Sequence, residues 1–94
     1  MTKNIIGIIE DNREFADLII KELSAEKSIT KIHYWHSAEE AWRDHKLKNL
    51  NIAFIDIQLV HMNGVDLAQL INEKFPDIKI VMLTNINSEK VIFK

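Results

Sequence analysis

Four short stretches of the chain are dominated by isoleucine and other strand formers: Ile5-Ile6-Gly7-Ile8-Ile9, Ile29 to Trp35, Ile52-Ala53-Phe54-Ile55 and Ile78 to Leu83. The first, third and fourth are almost continuously apolar, the pattern of parallel strands covered on both faces. The second interleaves Lys31, His33 and Tyr34 with Ile32 and Trp35, which suits an edge strand better than a central one. Between these runs the period changes to that of a helix. Phe15, Leu18, Ile19 and Leu23 recur at spacings of three and four, with Asp17, Lys21 and Glu22 on other faces. Asn12 is the expected N-cap, and Glu14 is well placed for the helix dipole. Ser37-Ala38-Glu39-Glu40 reads as a capping box in which Glu40 reaches back to the cap, and Ala38, Ala41 and Trp42 then face the sheet. A third helix begins near Gly64, uses Leu67, Leu70 and Ile71, and has ended by Pro76. Ser88-Glu89 opens a fourth, about two turns before the end of the sequence.

The alternation βαβαβαβα predicts an α/β fold, an open sheet with helices on both faces and hence three layers. No repeat, low-complexity tract or linker interrupts it, so one domain over residues 1–94 is expected. The apolar content of 47% supports a packed core and argues against disorder. Twelve basic and fourteen acidic residues nearly cancel, leaving a formal charge of -2 and no support for a nucleic-acid surface or a polybasic membrane patch. The absence of cysteine excludes disulfides and thiolate metal sites. Ile5 to Ile9 is too short for a signal peptide, and no run approaches the ~20 apolar residues of a membrane span. A cytoplasmic domain is the expectation.

In an open parallel α/β sheet, ligands bind beyond the carboxyl ends of the strands. Here those ends carry Glu10-Asp11 after the first strand, Asp56 after the third and Thr84-Asn85 after the fourth. If the first and third strands are neighbours, three carboxylates converge. Like charges so placed oppose each other's ionisation, and a bound Mg²⁺ would relieve them, since that ion favours a few carboxylates, a backbone oxygen and retained waters. Singly, each acid is more simply a solvated loop start or a cap; the three together favour a site.

An acidic pair after strand one, an aspartate ending strand three and a threonine ending strand four resemble the receiver-domain signature of two-component response regulators. The stretch Asp56-Ile57-Gln58-Leu59-Val60-His61-Met62-Asn63-Gly64 has the family's spacing from phosphoacceptor to glycine, and Val81-Met82-Leu83-Thr84 is similar to its fourth strand. Two positions depart from it: Val60 stands where proline is usual, and Asn85 where a small residue is usual. The resemblance implies a flavodoxin-like sheet of order 2-1-3-4, with the family's fifth strand and fifth helix missing. It further implies that Asp56 is the phosphoacceptor and that Glu10, Asp11, Asp56 and the Gln58 carbonyl hold Mg²⁺. Thr84 would be the phosphate-sensing switch, with Asn85, Ile86, Val60 and Gly64 flanking the site. The implied phosphoryl donor is a sensor histidine kinase.

The resemblance also implies that the chain is a fragment, because the fifth strand and its phosphate-pairing lysine would follow position 94. An effector domain would then lie beyond it, and the fourth strand would be an apolar edge open to self-association. Two alternatives stand beside the phosphoacceptor reading. One is a pseudo-receiver, an interaction module that works without phosphate chemistry. The other is a Mg²⁺-dependent phosphohydrolase, for which no extra base or substrate pocket is visible; no enzyme with turnover is expected. His33, His36, His45 and His61 read as edge-strand, helix-end and loop residues, and Trp35 and Trp42 as core. Lys46-Leu47-Lys48 reads as a solvated helix end.

Overall fold

Residue alternation along the isoleucine-rich strands divides the interior in two. In β1 (Asn4–Ile9), Ile6 and Ile8 point to one side and Ile9 to the other; in β3 (Ile52–Asp56), Ile52 and Phe54 oppose Ala53 and Ile55. One side is closed by α1 (Arg13–Ser24). The other is closed by α2 (Ala38–Arg43), a 3-10 helix (His45–Asn49) and α3 (Gly64–Lys74). With β2 (Ile29–Trp35) and β4 (Lys79–Leu83), the computed structural model, which describes residues 4–83, contains a four-stranded parallel sheet of order β2-β1-β3-β4. This is the three-layer, flavodoxin-like arrangement the resemblance implied. Among the described residues β2 is an outer strand, as its mixed sequence predicted. The predicted fourth helix, with Thr84, Asn85 and Ile86, lies outside the described residues.

Three local expectations are corrected. Leu18 is 57% exposed, because the stripe of α1 that meets the sheet is Ala16, Ile19, Ile20 and Leu23. That set follows the i, i+3, i+4, i+7 rule, whereas Leu18 stands on the opposite side of the helix. The capping box is half formed: Ser37 Oγ accepts from the Glu40 amide at 3.1 Å, but the Glu40 carboxylate lies 3.8 Å from His36 Nδ1 instead of returning to the cap. Finally, α2 stops at Arg43, and Asp44, in extended conformation, caps the 3-10 helix. His45 therefore opens a helix, and the turn folds Leu47 into the core at 1% exposure while Lys46 and Lys48 stay in solvent.

The other reading of the apolar pattern holds. Trp35 is buried and Trp42 is half-buried against Phe75, with ring centroids 6.3 Å apart. Leu67 and Ile71 bury the inner face of α3, which Asn63 caps by accepting from the Asp66 amide at 2.8 Å. Among the described residues, no helix is long and apolar enough to cross a membrane.

Candidate acidic site at the carboxyl ends of the strands

Strand register assembles the site. Ile9 pairs with Ile55 on one side and Trp35 on the other, so the residues that follow, Glu10 and Asp56, emerge side by side. Asp56 is in turn paired with Leu83 of β4. Carboxylate oxygens of Glu10, Asp11 and Asp56 all lie within 4.8 Å of one another. The convergence that the sequence made conditional on neighbouring strands is thus present.

The three acids differ in setting. Asp11 is exposed, Asp56 is 3% exposed and Glu10 is fully buried. Glu10 is held by a backbone bond to Trp35 (3.1 Å) and by its Oε2, which accepts from the Asn12 amide at 3.0 Å. Its carbonyl accepts from the Tyr34 hydroxyl at 2.7 Å. Burial pushes the Glu10 carboxyl up to about 8, and the neighbouring Asp56 charge adds to the effect, while the Asn12 amide opposes it. Without added positive charge, the three acids therefore resist ionising together. Glu10 Oε1 is buried and, among the described residues, has no hydrogen-bond partner. A buried, unsatisfied carboxylate oxygen calls for an explanation. An all-oxygen cluster with one orphaned acceptor fits a hard divalent cation such as Mg²⁺.

The loop between β3 and α3 completes the surroundings. The Gln58 amide donates to Asp56 Oδ1 at 3.0 Å, orienting the carboxylate. Gly64 is buried, and its amide donates to the Ile57 carbonyl at 3.1 Å. Val60 is 59% exposed at the apex, and His61 adopts a left-handed conformation with φ of 67°. Two residues beside the site had no site signal in the sequence. Tyr34 carries only an edge-strand signal, yet its hydroxyl secures Glu10 and its ring carries the Arg13 guanidinium 4.8 Å above it. Glu39 carries only the signal of a helix start, yet its Oε2 accepts from the Met62 amide at 2.9 Å. No local spacing rule announces a contact across 23 residues of sequence.

Of the other site-flanking positions, Asn85 and Ile86 lie with Thr84 outside the described residues. His61 projects from the loop in an exposed position, while His33 is half-buried with its ring 5.8 Å from that of Trp35.

Comparison with known proteins agrees with this geometry. The transcriptional regulatory protein NatR of Bacillus subtilis (strain 168) is 27% identical over 79 residues, covering 84% of this chain and 34% of the relative. The chain thus spans about a third of the length of that curated relative. Among solved structures, the response regulator TrrA of Thermotoga maritima, in complex with Mg²⁺-BeF, superposes with a TM-score of 0.78 at 27% identity, covering 86% of this chain and 69% of that one. The non-phosphorylated HemR receiver domain of Leptospira biflexa shares the fold with a TM-score of 0.76 at 24% identity, covering 87% and 64% of the two chains. The sequence pattern of the response regulator receiver domain matches residues 6–94. With that match over nearly the whole chain, a parallel sheet of the same order and an acidic cluster at its carboxyl edge, this chain belongs to the response regulator receiver domain family.

Proposed function

We propose that this receiver is a phosphoacceptor, taking a phosphoryl group on Asp56 from a phosphohistidine of a sensor kinase or from a small acyl phosphate. The observation that carries the reading is the convergence of Glu10, Asp11 and Asp56 within 4.8 Å, with an orphaned buried oxygen on Glu10. A structural role alone gives no reason to gather three carboxylates and bury two of them. The TrrA response regulator, 27% identical, was solved with Mg²⁺-BeF, and the same oxygen-donor chemistry suits this cluster. Glu10, Asp11, Asp56 and the Gln58 carbonyl would hold the cation. When bound, Mg²⁺ supplies positive charge that lets the carboxylates ionise together and offsets charge on the transferring phosphoryl oxygens.

The residues of the chain then divide the work. An Asp56 carboxylate oxygen forms the new bond to phosphorus as the bond from phosphorus to the donor's imidazole nitrogen breaks, and the imidazole leaves with the electron pair. The Gln58 amide at 3.0 Å orients the attacking carboxylate. Tyr34, through the Glu10 carbonyl, fixes the chain where the first two acids leave β1. Thr84, next after the Leu83 that pairs with Asp56, is the proposed switch hydroxyl, carrying the change to an output face or to an effector domain. The protein acts as a switch loaded once, not as an enzyme with turnover.

The test is intact mass after incubation with acetyl phosphate and Mg²⁺, on this chain and on Asp56→Asn. One added phosphoryl group, absent from the variant and absent without Mg²⁺, is the expected result. An adduct that persists in Asp56→Asn would move the acceptor elsewhere, and no adduct on the parent chain would favour a phosphorylation-independent interaction module.

A further inference from the structure

The loop from Ile57 to Asn63 is pinned by backbone hydrogen bonds at both ends. At its start, the Ile57 amide donates to the Leu83 carbonyl and the Gln58 amide to Asp56. At its end, Gly64 returns to the Ile57 carbonyl and Asn63 caps α3. Between these anchors Leu59 is buried, Val60 and His61 are exposed, and Met62 packs half-buried against the core. Among the described residues, one hydrogen bond joins residues 59–62 to the rest of the protein, that from the Met62 amide to Glu39 Oε2 at 2.9 Å.

The reach of Glu39 is set by local rules. Ser37 caps α2, and its hydroxyl accepts from the Glu40 amide at 3.1 Å, which fixes the register of the first turn. That register sends Glu40 toward His36 and Glu39 toward the loop. The Met62 amide, first, and then the backbone amide of Glu39 itself hold the Glu39 carboxyl below the usual carboxylate range, so it meets the Met62 amide as an anion. The stretch it grips has two sources of backbone freedom or strain. Val60 lacks the ring that would lock φ, and His61 occupies the left-handed region, which residues with a Cβ adopt uncommonly.

We infer that Glu39 is a positioning residue for the phosphoacceptor loop: by gripping the Met62 amide it fixes the segment between Asp56 and α3, and with it the Gln58 carbonyl, in the arrangement that loading of Asp56 requires. This inference rests on the phosphoacceptor reading and adds to it a residue on a different helix that touches none of the reacting atoms. It also couples α2 to the site, so a partner that shifts α2 shifts the loop.

Two variants and two readouts test it. Glu39→Ala removes the acceptor, whereas Glu39→Gln keeps an oxygen that can accept from Met62. Hydrogen exchange of the Met62 amide reports the grip, and the rate of Asp56 loading by acetyl phosphate with Mg²⁺ reports its consequence. In Glu39→Ala, Met62 exchange is expected to rise at least about tenfold. Loading is expected to slow by about ten- to a hundredfold, the scale on which small misplacements of reacting groups act. The urea midpoint of Glu39→Ala should stay near that of the parent chain, and Glu39→Gln should restore most of both readouts. Unchanged Met62 exchange in Glu39→Ala would show that there is no grip. Faster exchange with an unaltered loading rate would show a grip that positions nothing. Equal loss in Glu39→Ala and Glu39→Gln, tracking a fall in overall stability, would reduce the residue to a structural one. A parent chain that accepts no phosphoryl group would sink the phosphoacceptor reading and the positioning role with it; each preceding failure, with the parent loaded, sinks the positioning role alone.

Discussion

Gly64 begins α3 in direct contact with the backbone of Asp56: a Cβ added to it would overlap the Asp56 carbonyl oxygen and lie 2.8 Å from the carbonyl carbon. The obstacle is backbone, which cannot swing aside as the end of a side chain does. Glycine is thus required here for close approach, not for an unusual φ. Gly64→Ala should push α3 away from the end of β3 and cost about 1–3 kcal/mol, the usual cost of overpacking. Because the displaced backbone belongs to Asp56 itself, loading should suffer more than stability does. Urea denaturation and loading rates measured together check this; an alanine variant with the parent's stability and rate would refute it.

Glu10 gives a pH dependence opposite to that of most carboxylates. Its folded value of about 8 lies above the ordinary 4.5, so the fold favours the protonated form. The contribution is complete below the ordinary value and is lost as pH rises through the folded one. The cation-free protein should therefore weaken between about pH 4.5 and 8, and Glu10→Gln, which is neutral throughout, should flatten that slope. The gain at the alkaline end is on the order of a few kcal/mol. Mg²⁺ opposes the proton at the same carboxylate, so it should stabilise the parent more at about pH 8 than at about pH 6. Urea midpoints with EDTA and with Mg²⁺ decide the matter, and identical slopes in parent and variant would refute it.

These two residues show what was legible in the sequence. Glu10 and Asp56 could be placed together because apolar strand runs end at them, and strand ends are where such sheets bind. Gly64 could be placed near the site by its spacing from Asp56. The reason it must be glycine, a collision with backbone eight residues earlier, is tertiary and has no sequence signature. The same holds for Glu39, whose partner is fixed by how α2 lies across the sheet. Sequence and structure differ in helix phase and helix length. Apolar spacings in α1 admitted Leu18 because Phe15 lies three residues before it, but Ala16 and Ile20 mark the true centre of the stripe. Lys46-Leu47-Lys48 looked solvated because its charges hid a turn that buries one residue.

The corrected face of α1 makes a prediction of its own. Leu18, 57% exposed, should tolerate Leu18→Lys with a stability change within about 0.5 kcal/mol. Leu67, fully buried on α3, should lose about 2–5 kcal/mol as Leu67→Ala, since its removal leaves a cavity in the core. Midpoints of urea unfolding for the two variants measure this contrast. A large loss at Leu18 would mean that this face of α1 is covered in solution.

Asp44 joins β2 to the 3-10 helix through two donors. Its Oδ2 accepts from the Trp35 indole at 2.9 Å, and its Oδ1 accepts from the Lys46 amide at 2.9 Å. The Lys46 amide first, and then the Trp35 indole, hold its carboxyl below the usual range. Both partners are donors, so only a group that accepts on both sides suits the place. Asparagine presents an NH₂ to one of them. Asp44→Asn should therefore destabilise the protein at neutral pH despite its shape. Since the folded value is depressed, the Asp44 contribution is present above its ordinary 3.8 and disappears as pH falls through the lower folded value. The urea midpoints of parent and Asp44→Asn should then be apart at about pH 7 and draw together only as pH falls below the ordinary 3.8. Tryptophan fluorescence can follow both curves, because Trp35 loses its indole partner when the loop opens. Curves that stay parallel down to acid pH would show that the carboxylate charge of Asp44 contributes nothing to the fold.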